Sequence, residues 1–213
     1  LKRREFGVAA ALARLGETMH LNGREIVALV SFLGESLAKL ARIARDPRRL
    51  RVTSTVHHME QVGLDAMPLV ALLAFMVGAV IAYLGSSILA DFGATVFVVE
   101  LVGIAFLREF GVLLTAILLA GRTASAFTAQ IGIMVTREEV DAVRTLGMDP
   151  IELLVLPRLL ALLVMLPLLT FIAMVAGLLG GMAVAAFELG IPPQAFVIRL
   201  QDTMDLRHFF VGM

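Results

Sequence analysis

The chain has 213 residues, 59% of them hydrophobic, with a mean hydropathy of +0.92, against an apolar share of roughly 45–50% in soluble domains. That composition excludes a soluble globular or disordered chain and leaves an integral membrane protein. The formal net charge of zero hides an asymmetry, because residues 1–65 hold eleven of the eighteen Lys and Arg but seven of the eighteen acidic residues. With no cysteine and four scattered histidines, neither disulfides nor a thiolate or histidine metal site can be assembled.

Over residues 8–45, Ile26, Leu29, Val30, Leu33, Leu37, Leu40 and Ile43 share one helical face, while Arg24, Glu25, Glu35, Lys39 and Arg42 lie mostly on the other. No stretch here reaches the ~20 uncharged residues of a span, so this helix is expected to lie in the bilayer interface. Packing on a soluble core is the alternative, and little soluble core remains to receive it. The basic turn at 45–51 favours the cytoplasmic side and anionic headgroups. Without aromatic interleaving, and set against a span, it does not read as a nucleic-acid site. Residues 1–65 thus form an interfacial region, in which His57 and His58 read as an interfacial pair.

Residues 66–90 carry no charge and are long enough to cross the hydrocarbon core. Pro68 falls in the opening turn, where its missing amide proton costs little, and Gly78, Ala82 and Ser86 repeat every four residues for close helix contact. The loop near Asp91 lacks basic residues and is placed on the far side. A second span, 96–130, carries Glu100, Arg108 and Glu109. An ionised group at mid-bilayer costs roughly 2.5–3.5 kcal/mol or more, so Arg108 and Glu109 should face protein or a wet cavity. Adjacent helical residues point about 100° apart, which predicts a partner for each on another helix or a ligand. They serve either packing, as an interhelical ion pair, or a polar headgroup path. Gly121, Ser125 and Ala129 form a second small-residue ladder, within one subunit or across a dimer. Arg122 marks where the helix emerges into the cytoplasm.

Thr136-Arg-Glu-Glu139 matches a capping box and predicts a helix over 137–147, with Val140, Val143 and Leu146 on its apolar stripe and Glu138, Glu139, Asp141 and Arg144 outward. Gly147 and Asp149-Pro150 end it. Such a short helix needs something to lie against. It is either an interfacial cap on the bundle or a docking surface for a cytoplasmic protein. Residues 151–187 read as one tilted span bent at Pro167, and 189–193 as an outer loop without positive charge. A polar amphipathic piece follows over 194–205. From about residue 206 the chain turns apolar again and stops, as though a further span were cut at its start; the Leu1 beginning also suggests a fragment.

The runs LREFGVLLTAILLAGRTASAFTAQIG, TREEVDAVRTLGMDPIELLVLPRLLAL and LPLLTF resemble the MlaE/YrbE family, the permease subunits of MCE-associated ABC lipid transporters. The resemblance covers roughly residues 11–213. It implies an all-α integral membrane permease with an N-terminal interfacial elbow helix, transmembrane helices and a cytoplasmic coupling helix, placed in the bacterial inner membrane. Implied partners are a second copy in a homodimer, a cytoplasmic ABC ATPase, a periplasmic MCE-domain protein and phospholipid. No cofactor is bound by this chain, since ATP acts through the partner subunit. Thr136, Glu138, Glu139, Asp141, Arg144 and Asp149 would then contact the ATPase, and Arg108 and Glu109 would border the lipid cavity beside Tyr83, Leu84 and Ser87. Three departures stand out: Val112 replaces a usual proline, Gln130 a usual glutamate, and the remaining C-terminal spans are missing. The STAS domain that some members carry upstream is also absent from the sequence.

Competing functions remain at this stage. No GxxxxGK[ST] motif occurs, so the chain is not itself the ATPase. A secondary transporter or channel would use Arg108 and Glu109 for ion or proton movement, although no inverted repeat is visible. A scaffold that only anchors an MCE protein is the third option. An enzyme is the weakest, for want of a nucleophile with a nearby base or a metal cluster.

Overall fold

The computed structural model describes residues 8–46 and 51–203, and every element among them is helical. Three stretches, Val52–Ala90, Thr95–Thr136 and Ile151–Glu188, are long and apolar enough to cross a membrane. They contain 39, 42 and 38 residues, so each runs to roughly 60 Å, twice the ~30 Å hydrocarbon core. The uncharged runs 66–90 and 159–187 lie at the far ends of the first and third stretches. The surplus length is therefore a polar stem at the basic end of the bundle.

The first stretch comprises α2 (Val52–Gly63), a turn at 64–66 and α3 (Met67–Ala90), with Pro68 in the opening turn as predicted. Residues 52–63, assigned by sequence to the interfacial region, thus extend the first span downward and pack their buried Val62 and Gly63 into the bundle, Gly63 against Met165. The second stretch is longer than the expected 96–130. It begins with a 3-10 turn at Thr95–Phe97 and continues as α4 (Val98–Ile104), α5 (Gly111–Leu118) and α6 (Ser125–Thr136), separated by π turns at Ala105–Phe110 and Leu119–Ala124. The short α7 (Glu139–Thr145) follows. A third π turn, Ile151–Val155, then leads into α8 (Leu156–Glu188), which runs through Pro167 as one helix. Finally α9 (Pro193–Thr203) folds back at the far end. Residues 47–50 of the basic turn and the apolar start near 206 lie outside the described residues.

The core is a glycine seam between α3 and α8. A Cβ built on Gly78 would sit 2.0 Å from the Gly177 carbonyl oxygen, and one on Gly180 would sit 2.0 Å from that of Phe75. Gly78, Ala82 and Ser86, the first ladder, are all buried. Lipid tails are as apolar as leucine, so helices in a bilayer gain from close packing of this kind more than from escaping solvent. The second stretch closes the seam from the side: Phe106 fills the notch at Gly177 and Val102 the one at Gly181. At the far end Glu100 finds a partner in Arg199, whose Nε lies 3.1 Å from its carboxylate, and the Arg199 guanidinium stacks on Phe97. Phe196 is buried between α9 and the bundle beside Val99 and Ala185.

The amphipathic helix α1 (Val8–Arg45) has the predicted length. Its apolar residues Ile26, Leu29, Val30, Leu33 and Leu37 are exposed, whereas Ser36, Lys39 and Ile43 near its end are buried. One end of α1 is held by the bundle and the rest offers its apolar face outward, as an interface-lying helix requires.

Candidate functional site

The π turn Ala105–Phe110 decides where the charged pair points. Phe106 is fully buried at Gly177, and Gly111 lies against Met174; Thr115 back-bonds to the Gly111 carbonyl at 2.8 Å. With these residues wedged into α8, Arg108 and Glu109 emerge on the opposite, open face of the second stretch. The expectation of separate partners is corrected here. Arg108 Nε lies 3.4 Å from Glu109 Oε1, with the side chains 50% and 62% exposed. A π turn is wider than an α turn, and it brings successive long side chains closer in direction. The two charges therefore meet within one helix and still leave half or more of each side chain open.

Tyr83, Leu84 and Ser87 lie on the exposed face of α3, Ser87 donating to the Leu84 carbonyl at 2.9 Å. Among the described residues no hydrogen bond or ion pair joins them to Arg108 or Glu109. Gly85 touches Leu101, which places Arg108 about 10 Å nearer the stem than that level. Lower still, Arg122 donates to the Asp65 carbonyl at 2.8 Å beside a cavity of about 100 Å³ lined by Gln61, Asp65, Thr123 and Phe127.

The capping box at the start of α7 does not form. Because α6 continues through Thr136, that hydroxyl donates back to the Ile133 carbonyl at 2.8 Å, and the chain reverses at Glu138 in the left-handed region with φ 60°. The expected helix over 137–147 shortens to Glu139–Thr145, and Glu139 faces Arg137 at 3.9 Å instead of reaching back to a cap. Glu138, Glu139, Asp141 and Arg144 are all exposed, with Arg144 on Asp141 at 3.3 Å. Of the apolar stripe, Val140 and Val143 are half-buried, while Leu146 is 72% exposed. Beyond it, Gly147 at φ 73° lets the amides of Gly147 and Met148 close onto the carbonyls of Arg144 and Val143. What results is a short knob with a charged outer face and one bare leucine, projecting between the second and third stretches at the basic end.

Comparison with known proteins bears directly on these features. The profile of the family described as "Permease MlaE" matches residues 55–213, which take in the three long stretches but for the first three residues of the first, the charged pair and the knob. The chain belongs to the MlaE permease family. A probable ABC transporter permease protein of Synechocystis is 33% identical over 76% of this chain and 62% of its own length. One from Rickettsia felis is 32% identical over 78% of this chain and 64% of its own length. The intermembrane phospholipid transport system permease protein MlaE of Haemophilus influenzae is 28% identical over 86% of this chain and 71% of its own length. The chain spans less than two-thirds of the length of the first two. It is a multi-pass membrane protein of the ABC transporter permease class.

Two contacts in this MlaE-family chain escaped the sequence reading. Asp149, grouped by sequence with the knob, is held by Lys39 of α1, which also pairs with Glu35 at 2.7 Å. Burial would lower the Lys39 pKa, but the Asp149 and Glu35 carboxylates outweigh it and hold it above the ordinary lysine value. Burial would likewise raise Asp149, yet the Lys39 ammonium and the Ile151 amide hold it below its ordinary value. The sign follows for each group. Asp149 adds stability above the ~3.9 of a free aspartate, lost as pH falls through its depressed value; Lys39 adds stability below the ~10.4 of a free lysine, lost as pH rises through its raised value. The distance from a spin label on α1 to one on the bundle should accordingly stay constant through the neutral range and lengthen only in acid below the ordinary aspartate value or in alkali above the ordinary lysine value. Release centred near neutrality would contradict this pairing.

The second contact is buried. Arg158 Nη2 donates to Gln130 Oε1 at 3.2 Å, and its guanidinium lies 5.3 Å above the Phe127 ring, which also takes the edge of His58. The ladders separate as well. Gly121, Ser125 and Ala129 are exposed, and a Cβ on Gly121 would meet nothing within 4 Å, whereas the first ladder is consumed inside the chain.

Proposed function

We propose that this chain is the membrane subunit of an ABC transporter that carries phospholipid between the inner membrane and the outer envelope, driven by a separate cytoplasmic ATPase. The observation that carries the reading is α7, a charged knob between two membrane-crossing helices at the basic end of the bundle. Positive charge gathers on the cytoplasmic side of bacterial membranes, so this end faces the cytoplasm of the inner membrane, where an ATPase can bear on it. Thr136, Glu138, Glu139, Asp141 and Arg144 form the contact, with Asp149 holding its base. The open face with Arg108, Glu109 and, farther out, Tyr83, Leu84 and Ser87 borders the lipid path. Charges on such a face are too costly to leave against lipid tails, which supports a second copy of the chain enclosing them across the Gly121, Ser125 and Ala129 ladder. A periplasmic MCE-domain protein receives or delivers the lipid. The name of the Haemophilus influenzae relative supports phospholipid as the cargo.

The combined charge reversal Glu138→Lys, Glu139→Lys and Asp141→Lys is expected to cost most of the ATPase recovered by co-purification from membranes, with insertion unchanged. Full recovery together with full lipid-stimulated hydrolysis would remove α7 from the interface.

A further inference from the structure

The two oxygens of Asp149 hold two different elements. Oδ1 accepts the Ile151 amide at 2.9 Å and so caps the π turn at the foot of α8. Oδ2 accepts from Lys39 Nζ of α1. On its other side Asp149 follows α7 with no slack, since the Gly147 and Met148 amides are bonded back onto α7 at 2.9 and 3.1 Å. One carboxylate is thus the junction of the knob, the third membrane helix and the surface helix.

The hold on α1 is local. Lys39 is 8% exposed and Ile43 7%, and Arg42 faces Glu152 at 4.0 Å. Farther up, the apolar residues from Ile26 to Leu37 are exposed and belong to neither buried cluster among the described residues. A 38-residue helix fixed over its last turns is a lever: a tilt of about 10° at Lys39 displaces residue 22, some 25 Å away, by about 4 Å. Beside the junction lies a groove of about 460 Å³ lined by Arg51, Met148, Asp149 and Glu152, so the joint is not packed shut against such a tilt.

The geometry points to Lys39 and Asp149 as positioning residues that make α1 a moving part of the transport stroke. Displacement of α7 passes through the Asp149 carboxylate to Lys39 and swings the apolar face of α1 through the headgroup layer of the inner leaflet. This rests on α7 being the surface that the ATPase pushes. A lysine–carboxylate link suits the task, because three rotatable donors on a flexible stem keep the contact while the angle between the two elements changes.

The chain has no cysteine, so spin labels can be placed at will. Pairs at Val30→Cys with Phe92→Cys and at Ala142→Cys with Phe92→Cys, in the full complex diluted with unlabelled copies, report α1 and α7 against the far end of the bundle. Between nucleotide-free and ATP-trapped states both distances are expected to shift by several ångströms. With Lys39→Met, or with Asp149→Asn, which keeps an oxygen for Ile151, the Ala142 shift should persist and the Val30 shift should vanish. A Val30 distance that stays constant in the parent while Ala142 moves overturns the inference and spares the coupling role of α7. So does a Val30 shift that survives both substitutions. An Ala142 distance that never changes removes the coupling role and the inference together.

Discussion

Valine at Gly180 is expected to part α3 from α8 and to abolish recovery of folded protein. The Cβ alone would lie 2.0 Å from the Phe75 carbonyl oxygen, 2.8 Å from its carbon and 3.1 Å from the Ala79 nitrogen. All three are backbone atoms of α3, so no rotamer change can make room. Overpacking a core against side chains costs about 1–3 kcal/mol, and contact with fixed backbone puts this substitution at the top of that range or above it. The loss also spreads, because the seam holds Gly78 to Gly177 less than one turn away in the same manner. The measurement is the yield of monodisperse protein in detergent and its thermal midpoint. Gly121→Val is the matched control, since its Cβ meets nothing within 4 Å in the same chain; it should leave the protomer's midpoint in place and weaken subunit association. A Gly180→Val protein with the parental midpoint would mean that the helices are not in contact at this seam.

These two glycines illustrate what a sequence can and cannot tell. Both ladders are legible as spacing, and spacing does not say which neighbour fills them: α8 lies 99 residues along the chain from Gly78 where it meets it at Gly177. The uncharged runs 66–90 and 159–187 are legible for a simpler reason, since length and lack of charge are themselves the physical requirement for a span. Thr136-Arg-Glu-Glu139 misleads because a threonine hydroxyl serves equally well as an N-cap acceptor or as a back-bonded donor closing the helix before it. Which role it takes depends on whether α6 stops before it or runs through it, and the four-residue pattern does not say. The π turns have no periodic signature, so the self-pairing of Arg108 with Glu109 could not be foreseen. Lys39 is one of several charges on the polar face of α1, and nothing local marks it as the one that Asp149 buries.

Gln130 and Arg158 lie 28 residues apart, and the chemistry between them makes a prediction of opposite sign to the first. Replacing Gln130 by glutamate is expected to stabilise the protein. Arg158 is 8% exposed, and among the described residues its Nε and Nη1 have no hydrogen-bond acceptor. Its partners are a neutral amide, through Nη2, and the face of Phe127. The desolvation of the cation has therefore already been borne without a counter-charge. The present bond already has an ionised donor, worth about 1.5–3 kcal/mol; a carboxylate in place of the amide adds the opposite charge that the guanidinium lacks. Gln130→Glu should raise the thermal midpoint by a few degrees, at about 2–4 °C per kcal/mol for a chain of this size. Gln130→Leu removes the acceptor and should lower the midpoint. The decisive comparison is the same glutamate placed in an Arg158→Met background. There it places a half-buried carboxylate with no cation beside it, and the gain should be lost, because a partly desolvated charge stabilises only beside its opposite. If glutamate at position 130 shifts the midpoint equally with and without Arg158, the two side chains do not interact, and the buried guanidinium must draw its compensation from elsewhere.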